Sequence, residues 1–321
     1  MLNKKWAIIQ PLETIWEPPP INTPWNNHPD MNMSRLLQCK AYHINHVEQG
    51  LVPLDADVYF IGDCHIGYID KEIAFAKKLK ELGKKVVISY SADLRFLIGN
   101  CLITAEGTLY TELAEYADVI LSGFSADLRA FGRYQDKVFP WGVTFERYNF
   151  SEKPFEHRTI DLVLSGSIGE ECLGMNLELM LLIRQRHPEK RIVYFTHEPY
   201  RKQLERWSDK IEVWYERALW DGLKDAKHYI SPEYRPRAGR AIVDAWMYRV
   251  PFITSKFAYH SNLFPEFAFA QMDLDYIADL YDKMLATDYN TLIAQAEARA
   301  EYDYFDNAYP RLMKRLFPDE Q

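Results

Sequence analysis

The sequence predicts an α/β protein of two Rossmann-like, doubly wound domains, and three observations carry that prediction. Short apolar runs alternate with amphipathic stretches along the chain, as expected when parallel strands are buried between covering helices. The alternation pauses at 146–158 and then begins again, so the same grammar is used twice. A length of 321 residues suits two cores better than one.

In the first half, apolar runs at 6–9, 58–61, 86–89 and 119–122 read as strands. Helical periodicity falls at about 33–48, 71–82 and 108–116. No GxGxxG fingerprint follows the first strand. Instead Gln10 leads into a Pro- and Trp-rich stretch, 11–30, that is too long for an ordinary strand-to-helix connection. A long loop at the carboxyl end of a first strand is a candidate lid over a ligand, and Trp16 and Trp25 lie within it. Trp141 is expected in a loop as well.

The second half opens on a strand at 161–165 that enters the glycine-rich turn Ser165-Gly166-Ser167-Ile168-Gly169, followed by a helix at 176–187. Further strands are expected at 192–195, 211–214, 228–231 and 252–254, and helices at 275–287, 289–300 and 304–317. The most informative stretch is 229–255, which reads as strand, turn, helix, turn, strand. Gly239 stands where the helix begins, and Arg235, Arg237 and Arg240 crowd the turn. A helix start offers unpaired N–H groups and the positive end of the dipole, while guanidinium forks match phosphate oxygens, so this turn suits a diphosphate. Asp244, one turn further in, is spaced to receive hydrogen bonds from a ribose diol. The competing structural reading is a solvated arginine face with an ordinary first-turn carboxylate.

Composition narrows the function classes. There are 38 Lys and Arg against 46 Asp and Glu, a net charge of −8, so the chain as a whole does not attract nucleic acid or anionic lipid. Cys39, Cys64, Cys101 and Cys172 form no CxxC pair, which argues against a zinc ribbon or disulfide framework and fits a reducing compartment. The N-terminal apolar run is too short for a signal peptide, and no later run approaches the ~20 residues of a membrane span. The expectation is a cytoplasmic protein with no integral membrane segment. His43 and His46 have a spacing that suits a metal, but no third ligand is evident, and no metal site is expected.

The order Gly239, Asp244-Ala245, Pro251-Phe252-Ile253 resembles the nucleotide-binding turn of retaining GT-B glycosyltransferases, in which two glutamates spaced Glu-x7-Glu flank a glycine-bearing turn. The stretch 137–150, a strand ending in Pro followed by Trp-Gly-Val, is similar to the interdomain segment of the same enzymes. Two positions depart from the pattern: Pro236 replaces the first, sugar-contacting acid, and Asp244 is not Glu. Ile168-Gly169-Glu170-Glu171 also stand where relatives commonly carry an Arg and a Lys. The resemblance implies a GT-B fold whose two domains face a central cleft. The N-terminal acceptor domain would span 1–145, the linker 146–158, the nucleotide-sugar domain 159–300, and a final helix at 301–321 would cross back to the first domain.

The implied activity is transfer of a hexosyl or pentosyl group from a nucleotide-activated sugar, UDP-linked by expectation, to a hydroxyl, with the donor as co-substrate and no other cofactor. Donor contacts are assigned to Ser165, Gly166, Ser167, His197, Arg237, Gly239, Arg240 and Asp244. Polar residues at the carboxyl ends of the first domain's strands are the candidates on the acceptor side. Asp63, His65 or Asp93 would serve as base if the reaction inverts and would orient the acceptor if it retains, with Trp16, Trp25 and Arg95 as acceptor contacts. For each acid, an N-cap or turn role competes. The acceptor is left open among a glycan, a lipid, a small molecule and, as in phage-type DNA glycosyltransferases, a hydroxymethylated base. A noncatalytic GT-B-like binding protein is the alternative from another class.

Overall fold

A computed structural model describes residues 4–10, 14–18, 20, 29–64, 67–90, 103–104, 107–122, 132–141, 147, 149–165, 170–232 and 240–320. In chain order the first elements are β1 (Trp6–Gln10), α1 (Pro29–Leu37), β2 (Ala41–His43), α2 (Asn45–Glu48), β3 (Val58–Cys64), α3 (Ile69–Glu81), β4 (Lys85–Tyr90), α4 (Leu113–Tyr116), β5 (Val119–Ser122) and β6 (Val138–Pro140). Next come β7 (Ile160–Ser165), α5 (Glu170–Arg186), β8 (Ile192–Thr196), α6 (Arg201–Leu204), β9 (Glu212–Tyr215), α7 (Leu219–Leu223) and β10 (Ala226–Ile230). The last are α8 (Arg240–Met247), β11 (Phe252–Ser255), β12 (Ala268–Phe269), α9 (Leu274–Leu285), α10 (Tyr289–Ala300) and α11 (Phe305–Leu316). The chain divides into two compact units, Met1–Thr144 with Asp303–Gln321, and Phe145–Tyr302.

The first unit holds a six-stranded parallel sheet in the order β2-β1-β3-β4-β5-β6. Alternation along β1 sends Ala7 and Ile9 to one apolar layer, with Tyr59, Phe75, Leu79 and Val86, and Trp6 and Ile8 to the other. That second layer also takes Met33 of α1, and Ala308, Leu312, Met313 and Leu316 of α11. The final helix therefore completes the core of the first unit. Trp141, expected in a loop, follows β6 outside any helix or strand and is buried in this layer, edge-on to Phe305.

Two strands absent from the sequence reading, β2 and β12, belong to these sheets. The stretch 33–48, expected as one helix, is broken after Leu37. Gln38 takes a left-handed φ of 50°, Cys39 N–H donates to the Ser34 carbonyl at 3.1 Å, and the chain then pairs with β1. This closure normally uses glycine, so the sequence carried no stop signal there. His43 and His46 consequently sit on a strand end and a short helix rather than on one helical face. Each accepts a backbone N–H at Nδ1, from Asn45 and His43 respectively.

The second unit has the order β12-β11-β10-β7-β8-β9, again all parallel. Numbered from its own first strand and read from the other edge, that is 3-2-1-4-5-6, the doubly wound dinucleotide-fold order. The chain runs outward from β7 through β8 to β9, returns to pair β10 on the opposite side of β7, and continues to β12. Helix α5 begins at Glu170 and runs 17 residues, longer than periodicity suggested. Glu170 and Glu171 occupy its first turn, where the helix dipole favours acids.

Beneath this sheet a buried arginine ties the unit together. The Arg158 guanidinium donates to the carbonyls of Ala226 (2.9 Å), Tyr248 (3.0 Å) and Arg249 (3.3 Å) and to Ser151 Oγ (2.5 Å). Those contacts join the approach to β7, the start of β10 and the loop after α8.

Candidate functional site

In doubly wound sheets, ligands bind beyond the carboxyl ends of the strands, where neighbouring connections leave in opposite directions. In the second unit that position lies at β7 and β10. The segments that hold the two turns nominated from sequence, Ser165 to Gly169 and the one around Gly239, therefore follow adjacent strand ends. Each leads into a helix, α5 after the first and α8 after the second.

The described part of this edge is a row of hydroxyl groups. Ser165 closes β7, half-buried, with its Oγ 2.5 Å from the Tyr229 hydroxyl. Ser231, buried just past β10, donates its N–H to the Ile253 carbonyl at 2.9 Å. Thr196 closes β8 at 7% exposure, and its Oγ1 has no hydrogen-bond partner among the described residues. Ser255 closes β11, where its Oγ accepts the Phe257 N–H at 3.2 Å. Sequence reasoning selected Ser165 from this row but passed over Thr196, Tyr229 and Ser231. The missing signal was positional: each lies on or next to the last residue of a parallel strand.

Asp244 is 5% exposed, in α8 at the position foreseen one turn inside the helix. Its neighbour Tyr248 has a hydroxyl pKa pushed up to about 12, by burial first and then by the negative field of Asp244. His197 follows β8 and is exposed, with Nδ1 3.4 Å from Glu216 Oε1. Glu216 takes a left-handed φ of 48°, and the same carboxylate oxygen accepts the Glu198 N–H at 2.7 Å. His197 is thus held by an acidic partner on the turn after β9. Gly166, Ser167, Arg235, Pro236, Arg237 and Gly239 lie outside the described residues, as does the side chain of Arg240.

The carboxyl edge of the first unit is also polar. Gln10 ends β1 at 3% exposure, His43 is its register partner on β2, and Ser122 ends β5 in a buried position. The pairing of β3 with β4 shifts register between Ile61 and Cys64, so the ladder is irregular at the carboxyl end of β3. Asp63 lies in that irregular stretch, and its side chain is outside the described residues. His65, Asp93, Arg95 and Trp25 are outside them as well. Trp16 makes a two-bond antiparallel bridge to Ala41, at 2.9 and 3.1 Å, and packs against the apolar layer of Trp6 and Ile8. Those contacts give Trp16 a packing role beside β2. Tyr90, at the end of β4, has its hydroxyl pKa pushed well up by burial.

Among the described residues no three His, Cys, Asp or Glu side chains gather as a metal-ligand set, and no helix is long and apolar enough to cross a membrane.

No known protein-family pattern matches the chain, and no curated protein matches it in sequence. Solved structures do match in fold. An alpha,alpha-trehalose 6-phosphate synthase from Burkholderia multivorans superposes with a TM-score of 0.58 at 14% identity, covering 90% of this chain and 75% of its own. A mutant of S. aureus TarM, in complex with fondaparinux, alpha-GlcNAc-glycerol and UDP, superposes at 0.61 with 13% identity, covering 88% of this chain but 59% of TarM. A Listeria monocytogenes protein assigned as a UDP-N-acetylglucosamine 2-epimerase gives 0.53 at 15% identity, over 86% of this chain and 78% of its own. At these identities the likeness carries the fold and not the chemistry: the chain has a GT-B-type fold built of two Rossmann-like domains.

Proposed function

We propose that the chain is a glycosyltransferase that binds a nucleotide-activated sugar at the carboxyl edge of its second unit. The observation that carries this reading is the 3-2-1-4-5-6 strand order. It makes the turns after β7 and β10 neighbours, each opening a helix, and sets Asp244 one turn inside the second of those helices. Two helix starts offer backbone N–H groups and dipole charge to a departing diphosphate, electrostatic stabilisation that is often the largest catalytic contribution. Arg237 and Arg240 would add charge-assisted bonds, and Asp244 would accept hydrogen bonds from the ribose. In transfer, an acceptor hydroxyl oxygen bonds the anomeric carbon as the bond from that carbon to the diphosphate oxygen breaks. If the reaction inverts, the hydroxyl proton leaves to a base, for which Asp63, His65 and Asp93 are the candidates; if it retains, the departing diphosphate oxygen takes the proton and the same three groups orient the acceptor.

The TarM complex with UDP supports a UDP-linked donor, and the Gly239–Asp244 resemblance supports the retaining class. The Listeria likeness favours a second reading, epimerisation of a nucleotide sugar at C2. Transfer requires an acceptor and releases nucleoside diphosphate, whereas epimerisation forms the isomeric sugar with no acceptor present.

Thermal melting with UDP, GDP, ADP, CMP and their sugars tests the donor site, since a ligand bound only by the folded state raises the melting temperature. We expect one nucleotide family to stabilise the protein, and Asp244→Asn to reduce that stabilisation with the fold intact. A carboxylate holding a ribose diol contributes about 1.5–3 kcal/mol, so affinity should fall roughly tenfold or more. No stabilisation by any nucleotide would remove the donor-site assignment.

A further inference from the structure

The carboxamide of Gln10 is an unexplained polar group in the first unit. Gln10 is 3% exposed, and neither its Oε1 nor its Nε2 has a hydrogen-bond partner among the described residues. Strand alternation places it on the same face of β1 as Trp6 and Ile8, whose layer is built from Met33, Val58, Phe60, Val87, Leu312 and their neighbours. An amide ending such an apolar layer destabilises the folded chain unless something hydrogen-bonds it.

Its position is specific. In the order β2-β1-β3-β4-β5-β6, the chain leaves β1 for β2 on one side and then crosses to β3 on the other. The carboxyl ends of β1 and β3 therefore border the reversal point at which open α/β sheets take ligands. Gln10 is the last residue of β1, and the register shift before Cys64 disturbs the end of β3. Topology and the unpartnered amide are independent observations, and both point to the same place.

We propose that Gln10 is a specificity-determining residue, whose amide binds the hydroxyl groups of a neutral saccharide at the β1–β3 edge of the first unit. A carboxamide offers N–H donors and a carbonyl acceptor side by side. A vicinal diol matches it, since each hydroxyl both donates and accepts. A phosphate or carboxylate, which lacks a donor when ionised, satisfies only the N–H half. The choice of a saccharide rests on the transferase reading, and the unmet amide does not.

The test compares wild type with Gln10→Met, which keeps the side-chain length and removes both polar atoms. Melting temperatures are read without ligand, then with D-glucose, N-acetylglucosamine and trehalose as probes. Without ligand, Gln10→Met should melt about 2–4 °C higher than wild type, because an unpaired amide leaves the core. At least one saccharide should then stabilise wild type more than the variant. Non-specific stabilisation by excluded sugar is common to both proteins and cancels in that difference. A Gln10→Met protein that melts lower or does not fold shows that the amide has a structural partner, and overturns the proposal. Equal responses of the two proteins to all three saccharides overturn it too. Nucleotide melting shifts, measured in parallel, separate the two readings. A Gln10-dependent saccharide response without a nucleotide response keeps this inference and removes the transferase, and the converse pattern does the reverse.

Discussion

Buried His228 shows how one residue can set an acid limit on the second unit. It lies in β10 with Nδ1 3.2 Å from the Asp161 carbonyl, and the rings of Phe155 and Tyr281 meet it edge to face at 5.8 and 5.7 Å. Burial pushes its pKa down from 6.5 to about 4, outweighing the favourable carbonyl bond and the field of Asp161. The folded state therefore keeps the imidazole neutral where the unfolded chain takes up a proton. Stability from the neutral ring is complete above pH 6.5 and drains away as pH falls toward 4. The whole span is worth on the order of 3 kcal/mol. In His228→Phe, a plot of melting temperature against pH should fall less steeply across this window than in wild type, even with a lower plateau at neutral pH from the lost hydrogen bond. Parallel acid limbs in the two proteins would show that His228 is not the group responsible. A histidine inside an apolar run reads from sequence as an ordinary strand residue, and only packing reveals the cost of charging it. Gln10 and Thr196 were hidden in the same way, because single polar residues at strand ends form no motif.

At the scale of elements, the strands legible in the sequence were those with continuous apolar runs, such as β3, β7 and β11, since burial on both faces demands that composition. Short β2 and the two-residue β12 are held by their neighbours and leave no such run. Helix ends were least legible where a non-glycine residue takes the left-handed closing position. Gln38 ends α1 this way, and Arg249 does so after α8, at φ 51°. Val250 N–H reaches back to the Ala245 carbonyl at 2.9 Å, the signature of that closure. Arg249 tolerates the backbone because its side chain is engaged. It donates to Glu297 Oε1 at 2.6 Å and to the Trp246 carbonyl at 2.9 Å, and its guanidinium lies 4.5 Å from the Trp246 ring centroid. Replacing it therefore separates two effects. Arg249→Ala loses the contacts and keeps the strained φ, while Arg249→Gly loses the contacts and relaxes the backbone. Both should destabilise the second unit, with the Ala variant about 1 kcal/mol worse in denaturant unfolding. Equal stabilities would mean that the backbone there carries no strain.

On the scale of the whole molecule, the two sheets share a parallel architecture but differ in strand order, and the candidate sites inherit that difference. The residues proposed for the donor side of the second unit could be nominated from sequence because a glycine-bearing turn, arginines and an acid at helical spacing form a local pattern around Gly239 and Asp244. Those nominated for the first unit are dispersed along the sequence from residue 16 to residue 95 and form no local pattern. The first unit has two apolar layers of its own, one of them closed by α11 from the far end of the chain, and the second unit buries residues such as Leu162, Leu164, Val193, Ile230 and Ile253 on its own strands. A donor held within the second unit should therefore stabilise that unit rather than the chain uniformly. Calorimetry of the full chain should resolve two transitions, because separately cored domains need not melt as one cooperative unit. Assignment follows from single variants. Leu312→Ala, which removes a fully buried side chain on α11 and costs about 2–5 kcal/mol, should lower only the first unit's transition. With UDP or a UDP-sugar at a hundredfold excess over Kd, the second unit's transition should gain about 2.7 kcal/mol while the Leu312-sensitive one stays in place. Movement of the Leu312-sensitive transition alone would transfer the nucleotide site to the first unit and undo the assignment to the β7 and β10 edge.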